Sequence, residues 1–193
     1  LYVRLPQSGI VTLYAGGANG ALGDTLDLSA SSAAVWAHLG YASEDVWTRG
    51  NAGVTSGTWR AIGETSGIEN IAGSAYNDDL AGDGGANRFY YTGGIDLIDG
   101  AGGTDIVDFS RFNSAVWVDM AYAGVEAWTR GTTNVTSGTY RTIADLANIE
   151  NLSGTAFDDL LAGNASANLL TGGVGADDIE GRAGADTLDA WWT

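Results

Sequence analysis

Apolar and polar positions recur with a period of nine residues in two stretches of this 193-residue chain. Residues 154–189 divide into the units GTAFDDLLA, GNASANLLT, GGVGADDIE and GRAGADTLD. Residues 73–108 divide into GSAYNDDLA, GDGGANRFY, YTGGIDLID and GAGGTDIVD. Every unit has Asp or Asn at position 6 and an apolar residue at position 8. Because successive strand side chains face opposite sides, this pattern predicts a glycine-rich turn followed by a three-residue strand with position 8 facing inward.

The same period predicts where the position-6 side chains lie. Two units make one coil of eighteen residues, so each position-6 side chain stacks on the one two units earlier. The four expected pairs are Asp78 with Asp96, Asn87 with Asp105, Asp159 with Asp177, and Asn168 with Asp186. Carboxylates one strand spacing apart repel each other, and a divalent cation between them turns the repulsion into attraction. Calcium accepts six to eight oxygen ligands, including backbone carbonyls, so the sequence predicts several Ca²⁺ ions held by these pairs.

The repeats resemble the RTX (haemolysin-type calcium-binding) family, whose consensus is G-G-x-G-x-D-x-U-x. GGVGADDIE and GRAGADTLD are close to that consensus, whereas Asn87 and Asn168 replace Asp and Tyr91 replaces the first Gly of its unit. The resemblance implies an all-β fold, a parallel β-roll or β-solenoid. It also implies type I secretion and calcium-dependent folding outside the cell. We further expect backbone carbonyls of nearby glycines to complete the ligand shells, namely those of Gly94, Gly103, Gly175 and Gly184. Asp24 is a further expected ligand, because residues 23–27 match the end of a repeat unit.

A longer period of 81 residues organises the whole chain. The segment WTRG recurs at 47 and 128, VTSGT at 54 and 135, and IEN at 68 and 149, all without gaps. This duplication predicts an array of modules. The expected boundaries are a remnant of a preceding module at 1–28, module 1 at 29–109, module 2 at 110–190 and a tail at 191–193. Within the modules, Trp-containing segments 29–63 and 110–144 precede calcium β-rolls 64–109 and 145–190.

The Trp-containing segments keep the nine-residue frame only in part. Val35, Ile62, Val116 and Ile143 fall at position 8. Between them the frame fails, because Glu44, Gly53 and Asn134 occupy aliphatic positions. We therefore predict strands near 34–39, 58–62, 115–120 and 139–143, with an excursion between the members of each pair. No convincing helix is predicted, and residues 145–148 are assigned at most one helical turn.

Composition narrows the function classes. The net charge of −16 argues against binding to nucleic acid or to an anionic membrane surface. The sequence contains no apolar stretch of about 18 residues, so no transmembrane segment is predicted. The chain has no Cys and a single His, His38, so no thiolate metal site and no familiar catalytic constellation can be assembled. We therefore expect no enzymatic activity in this segment.

The sequence predicts a secreted, calcium-binding structural segment of a larger extracellular adhesin-, surface-layer- or matrix-type protein. Three aromatic pairs recur at the 81-residue offset: Trp36/Trp117, Trp47/Trp128 and Trp59/Tyr140. These pairs leave a second function open. Such aromatic rows either cover the side of the solenoid or contact polysaccharide or neighbouring copies of the chain. The alternative is therefore an accessory or carbohydrate-binding segment of a secreted RTX enzyme or toxin.

Overall fold

The computed structural model describes residues 2–4, 11–14, 23–41, 45–50, 52–54, 57–136 and 138–190. These residues form strands and turns, with no helix among them. The predicted tail at 191–193 and most of the predicted remnant at 1–28 lie outside the described residues. In chain order the strands are β1 Tyr2–Arg4, β2 Val11–Tyr14, β3 Thr25–Asp27, β4 Val35–His38, β5 Val46–Thr48, β6 Arg60–Ser66, β7 Asn70–Ala72, β8 Asp79–Ala81, β9 Arg88–Tyr90, β10 Asp96–Asp99, β11 Ile106–Asp108, β12 Val116–Asp119, β13 Ala127–Thr129, β14 Arg141–Ala147, β15 Asn151–Ser153, β16 Leu160–Ala162, β17 Leu169–Thr171, β18 Asp178–Glu180 and β19 Thr187–Asp189.

The strands form two sheets, between which the chain alternates. Sheet 1 is entirely parallel, in the order β1-β3-β7-β9-β11-β15-β17-β19. Sheet 2 has the order β18-β16-β12-β13-β14-β10-β8-β4-β5-β6-β2. In the repeat stretches each eighteen-residue coil adds one strand to each sheet, which confirms the predicted β-roll.

The register places position 8 of most repeats in the core, whereas Leu188 in the last unit is 49% exposed. Leu80 lies opposite Ile98 in sheet 2, and Leu152 lies opposite Leu170 in sheet 1. All four side chains are buried and belong to one apolar cluster. Their stacking removes apolar surface from water, at about 25 cal/mol per Å². The period of two within each short strand leaves positions 7 and 9 on the outer faces.

Each Trp-containing segment forms a three-stranded antiparallel β-meander inside sheet 2, which we call the hairpin. In the first, β4 pairs with β5 and β5 with β6. In the second, β12 pairs with β13 and β13 with β14. The predicted flanking strands are present, but β5 and β13 were missed because three residues are too few to show alternation. Residues 145–148, to which the sequence assigned at most one helical turn, form no such turn in the structure, since β14 runs through Ala147 and pairs with β10.

The hairpins make the two sides of the roll unequal. In sheet 1, β11 and β15 are direct neighbours, whereas β14, β13 and β12 lie between β10 and β16 in sheet 2. The turns that lead into sheet 1 therefore form one continuous row. The turns that lead into sheet 2 are divided into two groups by the hairpin. Within the described part of the chain, no helix has the length and apolarity needed to cross a membrane.

Candidate metal centres

All four predicted position-6 pairs are in contact. In each pair the backbone N–H of the earlier residue donates to the carboxylate eighteen residues later. The distances are 2.9 Å for Asp78 N to Asp96 Oδ1, 2.8 Å for Asn87 N to Asp105 Oδ1, 3.0 Å for Asp159 N to Asp177 Oδ1, and 3.0 Å for Asn168 N to Asp186 Oδ1. The nine-residue period therefore locates these side chains correctly in space.

The two turns of a pair differ in how the position-6 side chain is satisfied. In the earlier turn it also accepts an N–H from its own turn, as in Thr155 N to Asp159 Oδ2 at 2.6 Å. In the later turn one carboxylate oxygen is left over. Asp96 Oδ2 and Asp105 Oδ2 are both buried without a hydrogen-bond partner. Buried polar atoms in proteins are nearly always paired, so an orphaned carboxylate oxygen indicates a cation.

Glycine at position 1 lets adjacent coils come close together beside the position-6 oxygens of the earlier turns. A Cβ on Gly154 would lie 2.6 Å from Asp159 Oδ2 and nearer still to the carbonyl oxygen of Gly172 in the next coil. A Cβ on Gly163 would lie 2.7 Å from the Gly181 carbonyl oxygen and nearer still to Asn168 Oδ1. Each gap is therefore bordered by one side-chain oxygen and one backbone oxygen, both of which are calcium ligands by type.

Burial opposes ionisation of the carboxylates when no cation is present. Desolvation raises the pKa of Asp78 to about 7, and that of Asp159 to about 7. It also raises the pKa of Asp105 to about 6. The pKa of Asp96 is raised well above its usual value by burial and then by the nearby Asp78 charge. A divalent cation would reverse this effect by stabilising the charged forms.

Of the other predicted ligands, Asp24 lies directly before β3, and the four glycines lie on the repeat turns. Asp24 is fully buried, and Asp177 and Asp186 are half-buried at the last two described turns. The four predicted glycines have positive φ, from 105° at Gly94 to 147° at Gly175. The Gly94 carbonyl oxygen already accepts a 3.0 Å hydrogen bond from the Tyr91 hydroxyl. Direct coordination by these glycine carbonyls stays a prediction.

Comparison with known protein families matches the RTX calcium-binding nonapeptide repeat, in four copies, at residues 65–98 and 153–188. These two segments are RTX repeats. A search of curated proteins finds no match. RTX repeats are calcium-binding units, which agrees with the oxygen-only chemistry of the turns.

The RTX turns fit calcium through a mixture of side-chain and backbone oxygens. Among the described residues, no three His, Cys, Asp or Glu side chains converge on one point. A site made only of carboxylates is therefore not available there. At Gly154, for example, the position-6 oxygen Asp159 Oδ2 and the Gly172 carbonyl oxygen border the gap between two coils. Hard cations such as calcium accept this ligand set, whereas a thiolate- or imidazole-preferring metal does not.

Two glutamates that we did not predict as ligands extend the RTX row that leads into sheet 1. Glu69 Oε2 accepts the N–H of Asp24 at 2.7 Å, and Glu150 Oε2 accepts that of Asp105 at 2.9 Å. Both glutamates occupy position 6 of one additional unit before a repeat stretch. That position was the available signal, but the glutamates lack the glycine-rich turn of the consensus.

The two asparagines have a structural role in this row. The Asn87 side-chain amide donates to the Glu69 carbonyl oxygen at 3.1 Å. The Asn168 amide donates to the Glu150 carbonyl oxygen at 2.7 Å. In both places an N–H group occupies the space between two coils where an Asp would repel the carbonyl oxygen. The two Asn residues that replace the consensus Asp therefore lie where a side-chain hydrogen bond already joins adjacent coils.

The recurring aromatic residues cluster on the outer face of sheet 2. Trp36 and Trp47 have ring centroids 4.2 Å apart, and with Trp59 they line a cleft of about 360 Å³. Trp117 and Trp128 repeat the contact with centroids 5.0 Å apart. Val35 N, next to Trp36, donates to Asp78 Oδ1 at 2.9 Å, and Val116 N, next to Trp117, donates to Asp159 Oδ1 at 2.8 Å. The strands that carry the aromatic face therefore begin beside the position-6 carboxylates.

Proposed function

We propose that this chain is a calcium-binding structural segment of a larger extracellular protein and that it folds when calcium binds. The observation that carries the proposal is the pair of buried carboxylate oxygens without partners, at Asp96 and Asp105. Stacking the coils removes these oxygens from water, which costs free energy unless a cation takes the place of the lost water. Calcium is the ion that the RTX repeats bind.

The mechanism follows from linkage between folding and ion binding. At the low free calcium of cytosol, the stacked acidic side chains oppose coil formation, and the chain stays extended and exportable. Outside the cell, millimolar calcium exceeds the ~10⁻⁴–10⁻³ M dissociation constants of extracellular modules. The free energy of binding then becomes free energy of folding, as in other metal-dependent small folds.

We also propose the setting that this mechanism suits. Type I secretion, an extracellular or cell-surface location and an adhesin-, surface-layer- or matrix-type parent all agree with folding after export. The 81-residue duplication supports modules 29–109 and 110–190 as the units of an extended spacer. The role is structural and not enzymatic, with calcium as the small partner. His38, the sole histidine of the sequence, contacts Asp79 at 2.9 Å.

The test compares compactness at two calcium levels. Small-angle X-ray scattering and limited proteolysis would be recorded with free calcium buffered near 10⁻⁷ M and near 10⁻³ M. We expect an expanded, protease-sensitive chain at the lower level and a compact, resistant rod at the higher level. An equally compact and resistant chain at both levels would refute calcium-driven folding.

A second candidate function is carbohydrate binding, which the exposed aromatic face favours. Trp59 is 36% exposed beside the cleft, and Arg49 lies over its ring at 4.1 Å. Aromatic rings offer sugars a flat apolar surface, and the net negative charge favours neutral glycans over anionic ones. Titration with soluble neutral glycans should quench Trp fluorescence if this function is correct. Quenching absent at millimolar glycan would exclude it, and binding between copies would appear as concentration-dependent association.

The remaining alternative is an accessory segment of a secreted RTX enzyme or toxin. In that case a catalytic or pore-forming domain lies elsewhere in the parent protein. The sequence that flanks this segment in its gene would distinguish this alternative from a purely structural array.

A further inference from the structure

A three-residue turn connects the coils on either side of the second hairpin. Asn148–Glu150, named here the junction turn, follows β14 and leads into β15. It stacks on the six-residue turn at 100–105, which leads into β11. Gly100 N donates to the Ala147 carbonyl oxygen at 2.9 Å, just as Gly82 N donates to that of Asp99 at 2.9 Å. Asn148 therefore occupies the register position that Gly100 has in the coil before.

The junction turn reproduces the oxygen-lined gap of the repeat turns. A Cβ on Gly100 would lie 2.6 Å from Asp105 Oδ2 and nearer still to the Asn148 carbonyl oxygen. The gaps at Gly154 and Gly163 have the same composition, with a position-6 oxygen on one side and a next-coil carbonyl on the other. Asn148 adopts φ of 52°, a conformation that Asn tolerates better than most residues.

The carboxylates at this gap point to a ligand. Asp105 is 1% exposed, and its Oδ2 has no hydrogen-bond partner. Glu150 Oε2 accepts the N–H of Asp105, as Asp105 Oδ1 accepts the N–H of Asn87. The junction turn has three residues where the repeat turn has six. The extra methylene of Glu lets its carboxylate reach the row from this shorter loop.

We propose that a calcium ion binds between Asp105 and Glu150, with the Asn148 carbonyl oxygen as a further ligand. Both acidic residues lie outside the matched repeats at 65–98 and 153–188. The proposal rests on the calcium-dependent folding proposed above for the nature of the ion. The proposed site pairs an Asp with a Glu, unlike the position-6 pairs of the repeats. It lies where the second hairpin interrupts the row of turns that leads into sheet 2.

On the far side of the junction turn, the Asn168 amide donates to the Glu150 carbonyl oxygen, beside a cleft of about 260 Å³ that Glu150 and Asn164 help to line. The carboxylate oxygen without a partner is on the near side, at Asp105, so the ion is assigned there. The junction pair has two carboxylates, whereas the Asn87–Asp105 and Asn168–Asp186 pairs have one each. Since calcium affinity increases with ligand charge, the junction ion binds more tightly than the ions at those two pairs.

The site has a consequence for cooperativity. Its ligands come from coils before and after the hairpin β12–β14, so the bound ion connects the two repeat stretches. Calcium-driven folding of one stretch then promotes folding of the other. Without the junction ion, the two stretches should fold at separate calcium concentrations.

The experiment uses Glu150→Gln, because the Gln side-chain oxygen can still accept the Asp105 N–H. Asp178→Asn, an exposed carboxylate on the outer strand β18, is the matched control. Isothermal titration calorimetry and calcium-dependent circular dichroism would be recorded for both variants and the parent chain. We expect Glu150→Gln to bind one ion fewer per chain and to show two folding midpoints in place of one. Asp178→Asn should match the parent chain, and so should Glu150→Gln if the proposal is wrong.

A second measurement needs no variant. Crystals of the unaltered chain grown with terbium, a calcium substitute, give anomalous peaks at bound ions. A peak between Asp105 and Glu150 would support the junction site. Peaks at the repeat turns but none at the junction would overturn this inference and leave the proposed function intact. A chain that binds no ion at all would overturn the proposed function itself.

Discussion

Replacement of Gly154 by Ala tests the ligand geometry, because the gap beside this residue has defined dimensions. The added Cβ would lie 2.6 Å from Asp159 Oδ2, and 3.0 Å is the practical minimum for such contacts. That oxygen must therefore move by about 0.4 Å, and the Gly172 carbonyl oxygen by more. Calcium–oxygen distances span only ~2.3–2.6 Å, so such shifts remove both oxygens from one coordination shell. Steric overpacking adds a cost of ~1–3 kcal/mol to folding.

The matched control is Gly84→Ala, in a repeat turn where the added Cβ meets nothing within 4 Å. Its φ is not in the positive region, so the substitution should be neutral or stabilising by ~0.5 kcal/mol. Isothermal titration calorimetry should show one ion fewer for Gly154→Ala and an unchanged number for Gly84→Ala. Thermal unfolding in millimolar calcium should show the same order of stability. Equal ion numbers and equal stability in both variants would refute the assignment of this gap to calcium.

Three further predictions concern the core, pH and an aromatic substitution. Leu161→Ala should cost ~2–5 kcal/mol in saturating calcium, because Leu161 is fully buried, whereas Leu188→Ala (49% exposed) should cost under ~1 kcal/mol by urea denaturation. Without calcium, burial raises the pKa of Asp159 from 3.8 to about 7, so the native state binds its proton more tightly than the unfolded chain. Stability should then fall as pH rises between these values, and circular dichroism in chelator should show more β-structure at pH ~4.5 than at pH ~7.5; the reverse order would contradict this. Tyr91→Phe removes the hydrogen bond to the Gly94 carbonyl oxygen, so calcium should bind the neighbouring pair more tightly in calorimetry, and unchanged affinity would argue against competition.

The regular part of the fold was predictable because its period is constant. Each position-6 residue recurs every eighteen residues along one side of the roll, so counting along the chain identified all four contacting pairs. The same count placed Leu80 and Ile98 in the core, where the register confirms them. Glycine at position 1 marked the turns because the neighbouring coil approaches too closely for a side chain.

The irregular parts could not be predicted from local pattern. β5 and β13 have three residues each, and their pairing depends on contacts across the hairpin and not on alternation. The junction turn was also missed, since Glu150 matches the position-6 frame by number but lies on a turn of only three residues. The role of Asn168 depends on a carbonyl eighteen residues away, which a consensus pattern does not contain.

Circular dichroism during calcium titration, followed by addition of a chelator, tests the need for cations most directly. We predict a disordered spectrum without calcium, a cooperative transition to β-structure as calcium is added, and full reversal by the chelator. The reason is the group of buried position-6 carboxylates, two of which retain an oxygen without a protein partner. A chain with the same β-content before calcium and after chelation would contradict the account.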